Sequence, residues 1–173
     1  YTEPDFPVVT HHWLSGVIFY LVESAVGFTG LSLFYILLSG LTVYFFYKVA
    51  ERKSDVPTAL MLTFLLLPVM ANRREIRPEG FSYLFLGIYF YVFELFKDKE
   101  ISLKKLFIIL VPLQILWINL HLFFIMGIFI AGVYFGLEFI KFIKKQKNNV
   151  KTYGAVLGAL IAVSLINPYF IKG

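Results

Sequence analysis

The sequence predicts an all-α, polytopic membrane protein with about six transmembrane helices and one helix lying on the outer bilayer surface. Of the 173 residues, 59% are hydrophobic and only 16% are charged, whereas soluble domains average about 45–50% apolar and about 25% charged residues. Several apolar runs approach the length that crosses about 30 Å of hydrocarbon. This composition excludes a disordered chain, a nucleic-acid-binding basic domain and an ordinary water-soluble enzyme. Cysteine is absent, so neither disulfides nor thiolate metal sites can form.

The first predicted region, residues 1–27, combines a polar extracytoplasmic loop with a short apolar segment. The apolar run 13–22 is too short to span a bilayer, because Glu23 ends it after ten residues. A helix lying in the outer interface, with its aromatic residues at headgroup level, fits this length. The alternative is a re-entrant or broken span through Gly27 and Gly30.

The transmembrane domain is predicted over residues 28–173. Residues 106–143 are apolar for 38 positions, which is too long for one crossing, and Pro112 is expected to kink the first half. We place a break at residues 119–121; one very oblique helix is the alternative. The six predicted crossings are then 28–47, 56–72, 80–97, 104–118, 121–143 and 152–167.

The lysines indicate how these crossings are oriented. With a break at 119–121, three cationic clusters fall on one side, which the positive-inside rule makes cytoplasmic. The clusters are Lys48, Arg52 and Lys53; Lys97, Lys99, Lys104 and Lys105; and Lys141, Lys144, Lys145, Lys147 and Lys151. We therefore expect an integral protein of the cytoplasmic (inner) membrane whose loop 72–80 and turn 118–121 face outward.

Arginine is segregated from lysine, and three of the four arginines lie in the outward segment 73–79. Arginine presents a rigid planar fork that binds phosphate through two parallel hydrogen bonds. Arg74 and Arg77 are therefore predicted to bind a lipid-linked phosphate or pyrophosphate. In the alternative reading, these cations pair with Glu75, Glu79 or lipid headgroups and only anchor the loop.

A histidine and an asparagine interrupt the long apolar run at residues 117–121. Polar side chains are costly in lipid, so Asn119 and His121 should face the protein interior or a wet cavity. Both are candidate substrate contacts. Alternatively, Asn119 satisfies backbone groups freed at the helix break and His121 is a packing residue that forms hydrogen bonds. His11 is the third candidate, and it is either a substrate contact or an interface residue.

Four segments resemble motifs of one enzyme family, in the same order along the chain. Residues 7–14, PVVTHHWL, resemble the "pw-v-x-H-x-W-L" stretch that follows the first membrane helix of bacterial polytopic glycosyltransferases. Residues 74–84, REIRPEGFSYL, resemble their "R…RP…f-s-y-l" segment. Residues 117–127, WINLHLFFIMG, resemble "W-x-N-x-H-g-g-f-x-x-G", and residues 167–169, NPY, resemble "NPyG". These enzymes form the GT-C fold group, which includes dolichyl-phosphate-mannose protein mannosyltransferases and the aminoarabinose transferase of lipid A.

The resemblance implies transfer of a sugar from a polyprenyl-phosphate donor to a lipid, protein or glycan acceptor at the outer face of the membrane, in the cell envelope. It implies that Arg77 and Arg74 hold the departing phosphate, and that a carboxylate in the first outward loop is the general base. Glu3 and Asp5 are the nearest acids, although the base is expected before Tyr1. The chain is then a piece of a longer enzyme whose first membrane helix is absent.

Two further points complete the predicted chemistry. No cofactor is assigned and no metal ligands are named. A divalent-metal site formed by the histidines together with Glu3 and Asp5 is left as an alternative. The rival functions are a lipid-linked-sugar transporter or flippase and a non-catalytic membrane scaffold. A transporter is expected to carry polar groups along a path through the membrane and often shows inverted repeats, neither of which the sequence displays.

Overall fold

The computed structural model describes residues 12–71 and 75–168, and every regular element in these ranges is a helix. The elements are α1 (Trp13–Glu51), α2 (Val56–Ala71), α3 (Glu79–Lys97), α4 (Leu103–Leu120), a 3-10 turn (Leu122–Phe124), α5 (Ile125–Ile143) and α6 (Val150–Val163). Four helical segments are long and apolar enough to cross a membrane: α1, α3, α4 and Leu122–Ile143. These four are candidate membrane spans, and the predicted all-helical class is confirmed. The predicted count of six spans is not, because α2 and α6 are shorter.

Helix α1 is broken at Gly27, where φ is 70° and ψ is −179°. Side-chain-bearing residues rarely adopt this conformation, whereas glycine does so without a steric penalty. The first helical segment therefore continues past Glu23, which was predicted to end it. Glu23 is exposed and glutamate is a good helix former, so its charge does not interrupt the backbone.

The part of α1 before Gly27 packs against one end of the bundle. Trp13 contacts Asn119 at the end of α4, and Phe19 stacks on Phe81 at the start of α3, with ring centroids 5.6 Å apart. These contacts bring the N-terminal segment to the end where α3 begins and α4 finishes.

Helix α3 is the centre of the fold and packs against α1, α4 and α5. Helix α6 covers α4 and α5, whereas α2 packs on α1. The interior is aromatic: Tyr89 lies edge-on to Trp117 with centroids 5.4 Å apart, and Phe93 stacks on Tyr134 at 4.7 Å. Tyr89, Phe93 and Trp117 have no exposed surface, so α3 and α4 supply the largest core side chains.

Ion pairs gather at the opposite end of the bundle. Arg52 donates a hydrogen bond to Asp98 over 2.6 Å, and Lys53 pairs with Glu94. Glu94 also accepts a 2.6 Å hydrogen bond from the hydroxyl of Tyr134. The ends of α1 and α3 therefore meet the second half of α5, which places the lysine-rich segments at one end of the molecule.

Gly127 allows α5 to approach α3 and α4 closely. A Cβ atom at this position would lie 2.6 Å from Oε1 of Gln114 and 3.0 Å from the ring of Tyr89. We expect Gly127→Ala to displace the Gln114 amide and to lower the free energy of unfolding by about 1–3 kcal/mol, the range for overpacked cores.

Gly132→Ala is the matched control, because a Cβ at Gly132 on the same helix meets nothing within 4 Å. This change should be neutral or should stabilise by up to about 1 kcal/mol through helix propensity. Unfolding in mixed micelles with increasing denaturing detergent, followed by circular dichroism, measures both variants. Equal destabilisation by the two substitutions would contradict the packing described here.

Candidate functional site

A cluster of polar and indole side chains lies at the end of the bundle opposite the ion pairs. We call it the polar end cluster. It draws on α1, α3 and α4 and on the residue that follows α4. Its members are Trp13, Ser82, Trp117, Asn119 and His121.

His121 is held on one side by a chain of buried hydrogen bonds. Its Nδ1 atom lies 2.9 Å from the hydroxyl oxygen of Ser82, and that oxygen accepts a 2.8 Å hydrogen bond from the indole N–H of Trp117. The backbone N–H of Phe123 also donates to Nδ1, over 3.4 Å. Ser82 and Trp117 have no exposed surface, so the imidazole is fixed from within the core.

The backbone places His121 at the junction of two helices. Helix α4 ends at Leu120, and His121 has extended backbone angles (φ −163°, ψ 147°) before the 3-10 turn begins. The break therefore falls at the predicted turn, and α4 ends two residues later than predicted. Because the extended residue leaves the helix axis, its side chain turns back toward α3 and meets Ser82.

Asn119 binds protein groups through all of its polar atoms. Its Oδ1 atom accepts a 3.0 Å hydrogen bond from the indole of Trp13, and its Nδ2 atom donates to the carbonyls of Ile115 (2.8 Å) and Ile166 (3.0 Å). Asn119 thus ties the start of α1 and the residues after α6 to the end of α4. It is buried, as predicted for a polar group between apolar runs.

The outer side of the His121 ring faces charged and titratable neighbours. The ring centroid of His12 lies 5.8 Å away, and Glu79 is close enough to attract a positive charge on the imidazole. Burial lowers the pKa of His121 below its ordinary value; Glu79 opposes this effect and His12 adds to it. Burial thus shifts the imidazole toward its uncharged form.

Arg77 lies in the loop before α3 and is half exposed, with 50% of its side chain accessible. Its guanidinium pairs with Glu75, with an Nε–Oε2 distance of 2.5 Å, and lies 4.0 Å from Glu79. The hydrogen bond to Glu75 raises the pKa of Arg77, and attraction to Glu79 and Tyr35 adds to it. Both pairing partners named in the sequence alternative are thus present.

An apolar cavity of about 580 Å³ lies between α1, α2 and the start of α3. Its lining residues are Ser32, Tyr35, Ile36, Ser39, Gly40, Val43, Leu67, Met70, Ile76, Gly80 and Tyr83. Ile76 and Gly80 flank the loop that carries Arg77, and Tyr35 lies within electrostatic range of the guanidinium. One part of the cavity wall therefore lies close to the Arg77 loop.

The structure brings some predicted site residues together and leaves others untested. Arg77 and His121 lie at the same end of the bundle and share Glu79 as a neighbour, but neither lines the cavity. Four predicted residues fall outside the described part of the chain: Glu3, Asp5, His11 and Arg74. Within residues 12–71 and 75–168, no group of three or more histidine or acidic side chains is placed to hold a metal ion.

Two buried polar residues were missed by sequence reasoning. Ser82 orients His121, and Gln114 joins three elements in mid-bundle. Gln114 accepts a 2.5 Å hydrogen bond from Tyr89 and donates to Ser164 (2.9 Å) and to the carbonyl of Phe124 (3.2 Å). An amide inside an apolar run is expensive in lipid, so the sequence contained a signal for Gln114. Ser82 gave none, because serine is common in transmembrane helices.

Comparisons with protein-family models, with curated proteins and with solved structures find no match to this chain. The GT-C resemblance of the four motifs is therefore a prediction that rests on the residues themselves.

Proposed function

We propose that this chain is part of a membrane glycosyltransferase that moves a sugar from a polyprenyl-phosphate donor to an acceptor at the outer face of the cytoplasmic membrane. The observation that carries the proposal is the apolar cavity between α1 and α2, whose wall includes Ile76 of the Arg77 loop. A polyprenyl phosphate has the same two parts, a long apolar chain and an anionic head.

The cavity suits the apolar part of such a donor. Its volume of about 580 Å³ lies within the roughly 300–1,000 Å³ that small-molecule pockets occupy. Most of its wall is aliphatic or aromatic, and the hydroxyls of Ser32 and Ser39 are the exceptions along α1. In the proposed arrangement the prenyl chain enters between α1 and α2 and its remainder extends into lipid.

Arg77 suits the phosphate. The exposed ion pair with Glu75, whose side chain is 69% accessible, is held weakly because solvent screens both charges. A phosphate that approaches along the cavity can displace this carboxylate and accept two parallel hydrogen bonds from the guanidinium. Arg74 is proposed as the second cation. In the transition state negative charge grows on the departing phosphate, where a fixed cation has its largest effect on rate.

The remaining chemistry is assigned to the same end of the bundle. His121 contributes a hydrogen bond to the phosphate or sugar, and His11 and Asn119 border the acceptor region. A carboxylate in the segment before the first helix, Glu3 or Asp5 in this chain, removes the proton from the acceptor hydroxyl. No metal ion is assigned to these steps.

The proposed orientation keeps the six-span arrangement. Ion pairs join the lysine-rich ends of α1 and α3, which agrees with one cytoplasmic side under the positive-inside rule. Helices α2 and α6 have 16 and 14 residues, so at 1.5 Å per residue they extend about 24 and 21 Å. They would cross where the bilayer thins to match them, at a modest free-energy cost.

The mid-bundle polar network argues against a transporter. A substrate path through the membrane needs polar groups that are open to a passing solute. Gln114 instead accepts a hydrogen bond from Tyr89 and donates both of its N–H groups to protein acceptors. This buried amide therefore joins neighbouring elements of the bundle and offers no free group to a passing solute.

Glu75→Gln tests the proposed phosphate site. The variant removes the anion that competes for Arg77, so the affinity for farnesyl phosphate should rise about two- to fivefold, the scale of a weak exposed ion pair. Displacement of a fluorescent prenyl phosphate from the protein in nanodiscs measures this affinity. Farnesol, which lacks the phosphate, is the control ligand, and its affinity should not change. An equal gain for farnesol, or no gain for farnesyl phosphate, would refute the placement of the phosphate at Arg77.

A further inference from the structure

The hydrogen bonds around His121 determine which ring nitrogen carries the proton. The backbone N–H of Phe123 can only donate, and it points at Nδ1 over 3.4 Å. This long contact favours, without fixing, the tautomer in which Nδ1 presents its lone pair. In the neutral imidazole the hydrogen then lies on Nε2.

Ser82 is arranged to fix this choice. The indole N–H of Trp117 can only donate, so the 2.8 Å contact occupies the Ser82 oxygen as an acceptor. The hydroxyl hydrogen of Ser82 is then free to donate to Nδ1 of His121 over 2.9 Å. A relay of donors thus runs from Trp117 through Ser82 to His121, and all three groups are buried.

We infer that Ser82 is a positioning residue that holds neutral His121 as the Nε2–H tautomer, so that Nε2 presents a hydrogen-bond donor to an anionic ligand oxygen. Within the described residues no hydrogen bond to Nε2 is found, and His12 and Glu79 lie near the ring. The identity of the ligand, a lipid phosphate, rests on the proposed function. The inference that Ser82 fixes the tautomer of His121 does not depend on the proposed function.

The tautomer decides whether His121 attracts or repels a phosphate. An Nε2–H group donates to a phosphate oxygen without needing a proton from solvent. The opposite tautomer would present a lone pair to that oxygen, and it would also set two N–H donors, those of Phe123 and Nδ1, against each other. Ser82 therefore matters for binding through the direction of one hydrogen, although it lies out of reach of the ligand.

Nitrogen-15 NMR of the histidine-labelled protein in micelles tests the tautomer directly, with the His121 signals assigned by their loss in His121→Asn. We expect wild-type His121 to show a protonated Nε2 and an unprotonated Nδ1. Ser82→Ala should add a population protonated at Nδ1 and weaken farnesyl phosphate binding about three- to tenfold, the net scale of one typical hydrogen bond. Ser164→Ala is the matched control, because this buried serine contacts Gln114 and not His121; it should change neither readout.

Each remaining outcome also decides a question. A protonated Nδ1 in the wild type, or an unchanged tautomer in Ser82→Ala, would overturn the inference, as would a changed tautomer with unchanged farnesyl phosphate affinity. If the tautomer changes in Ser82→Ala but the wild type binds no farnesyl phosphate, the proposed function is refuted. The positioning of the His121 ring by Ser82 is then still supported. Should Ser82→Ala not fold, Ser82→Cys supplies the same comparison through its weaker donor, and the wild-type tautomer is decisive alone.

Discussion

Replacing Arg77 with alanine should reduce sugar transfer from a polyprenyl-phosphate donor by at least about 100-fold, the usual cost of losing one group that stabilises a developing anion. The helix bundle should remain folded, because Arg77 is half exposed and pairs with Glu75 of the loop and with Glu79 at the first position of α3. Arg77→Lys should give an intermediate rate, since lysine keeps the charge but loses the bidentate fork.

The assay follows release of polyprenyl phosphate from a panel of polyprenyl-phosphate sugars by the protein in liposomes. Arg52→Ala is the matched control at the other end of the bundle, where Arg52 pairs with Asp98 and Glu100. It should stay within about twofold of the wild-type rate, because the exposed acids it leaves behind are solvated. Wild-type turnover by Arg77→Ala, or equal losses in both variants, would remove Arg77 from the mechanism.

The second large effect concerns stability. Trp117→Ala should lower the free energy of unfolding by about 3–5 kcal/mol, the range for large core side chains replaced by alanine. Trp117 has no exposed surface and lies edge-on to Phe85 and Tyr89, with centroids 5.6 and 5.4 Å away. Its removal leaves a cavity between α3 and α4 and takes from Ser82 its hydrogen-bond donor.

Trp13→Ala is the control within the same chain, which has two tryptophans. Trp13 is 37% exposed and makes one hydrogen bond to Asn119. Losing that bond and partial burial should cost at most about 2 kcal/mol. Detergent unfolding followed by circular dichroism compares the variants. Similar losses in both would mean that the core does not centre on Trp117.

Helix positions were largely predictable because hydropathy and charge depend on local sequence. Helix α3 was predicted at 80–97 and occupies Glu79–Lys97. The break in the long apolar run was placed at 119–121, and α4 ends at Leu120. The number of spans was harder to predict, because α2 and α6 are shorter than the roughly 20 residues that cross a bilayer. Hydropathy alone does not decide whether such helices cross.

The candidate site was only partly predictable. Asn119 and His121 stood out because each is polar between apolar runs, and both are buried. The partners of His121 depend on how α3 packs against α4: Ser82 is 39 residues from His121 and 35 from Trp117 in the sequence. No local pattern encodes that register. The pairing of Arg77 with Glu75 and Glu79 was foreseen as the alternative to phosphate binding, and the two roles coexist if the phosphate displaces Glu75.

The central claim is that a prenyl chain occupies the α1–α2 cavity with its phosphate at Arg77. Photo-crosslinking with a diazirine-bearing farnesyl phosphate, followed by mass spectrometry of the peptides, tests it most directly. We predict adducts on cavity residues such as Ile36, Val43 and Leu67 that disappear with excess farnesyl phosphate and are reduced in Arg77→Ala. Adducts spread over lipid-facing residues of α5, with no competition and no dependence on Arg77, would contradict the account.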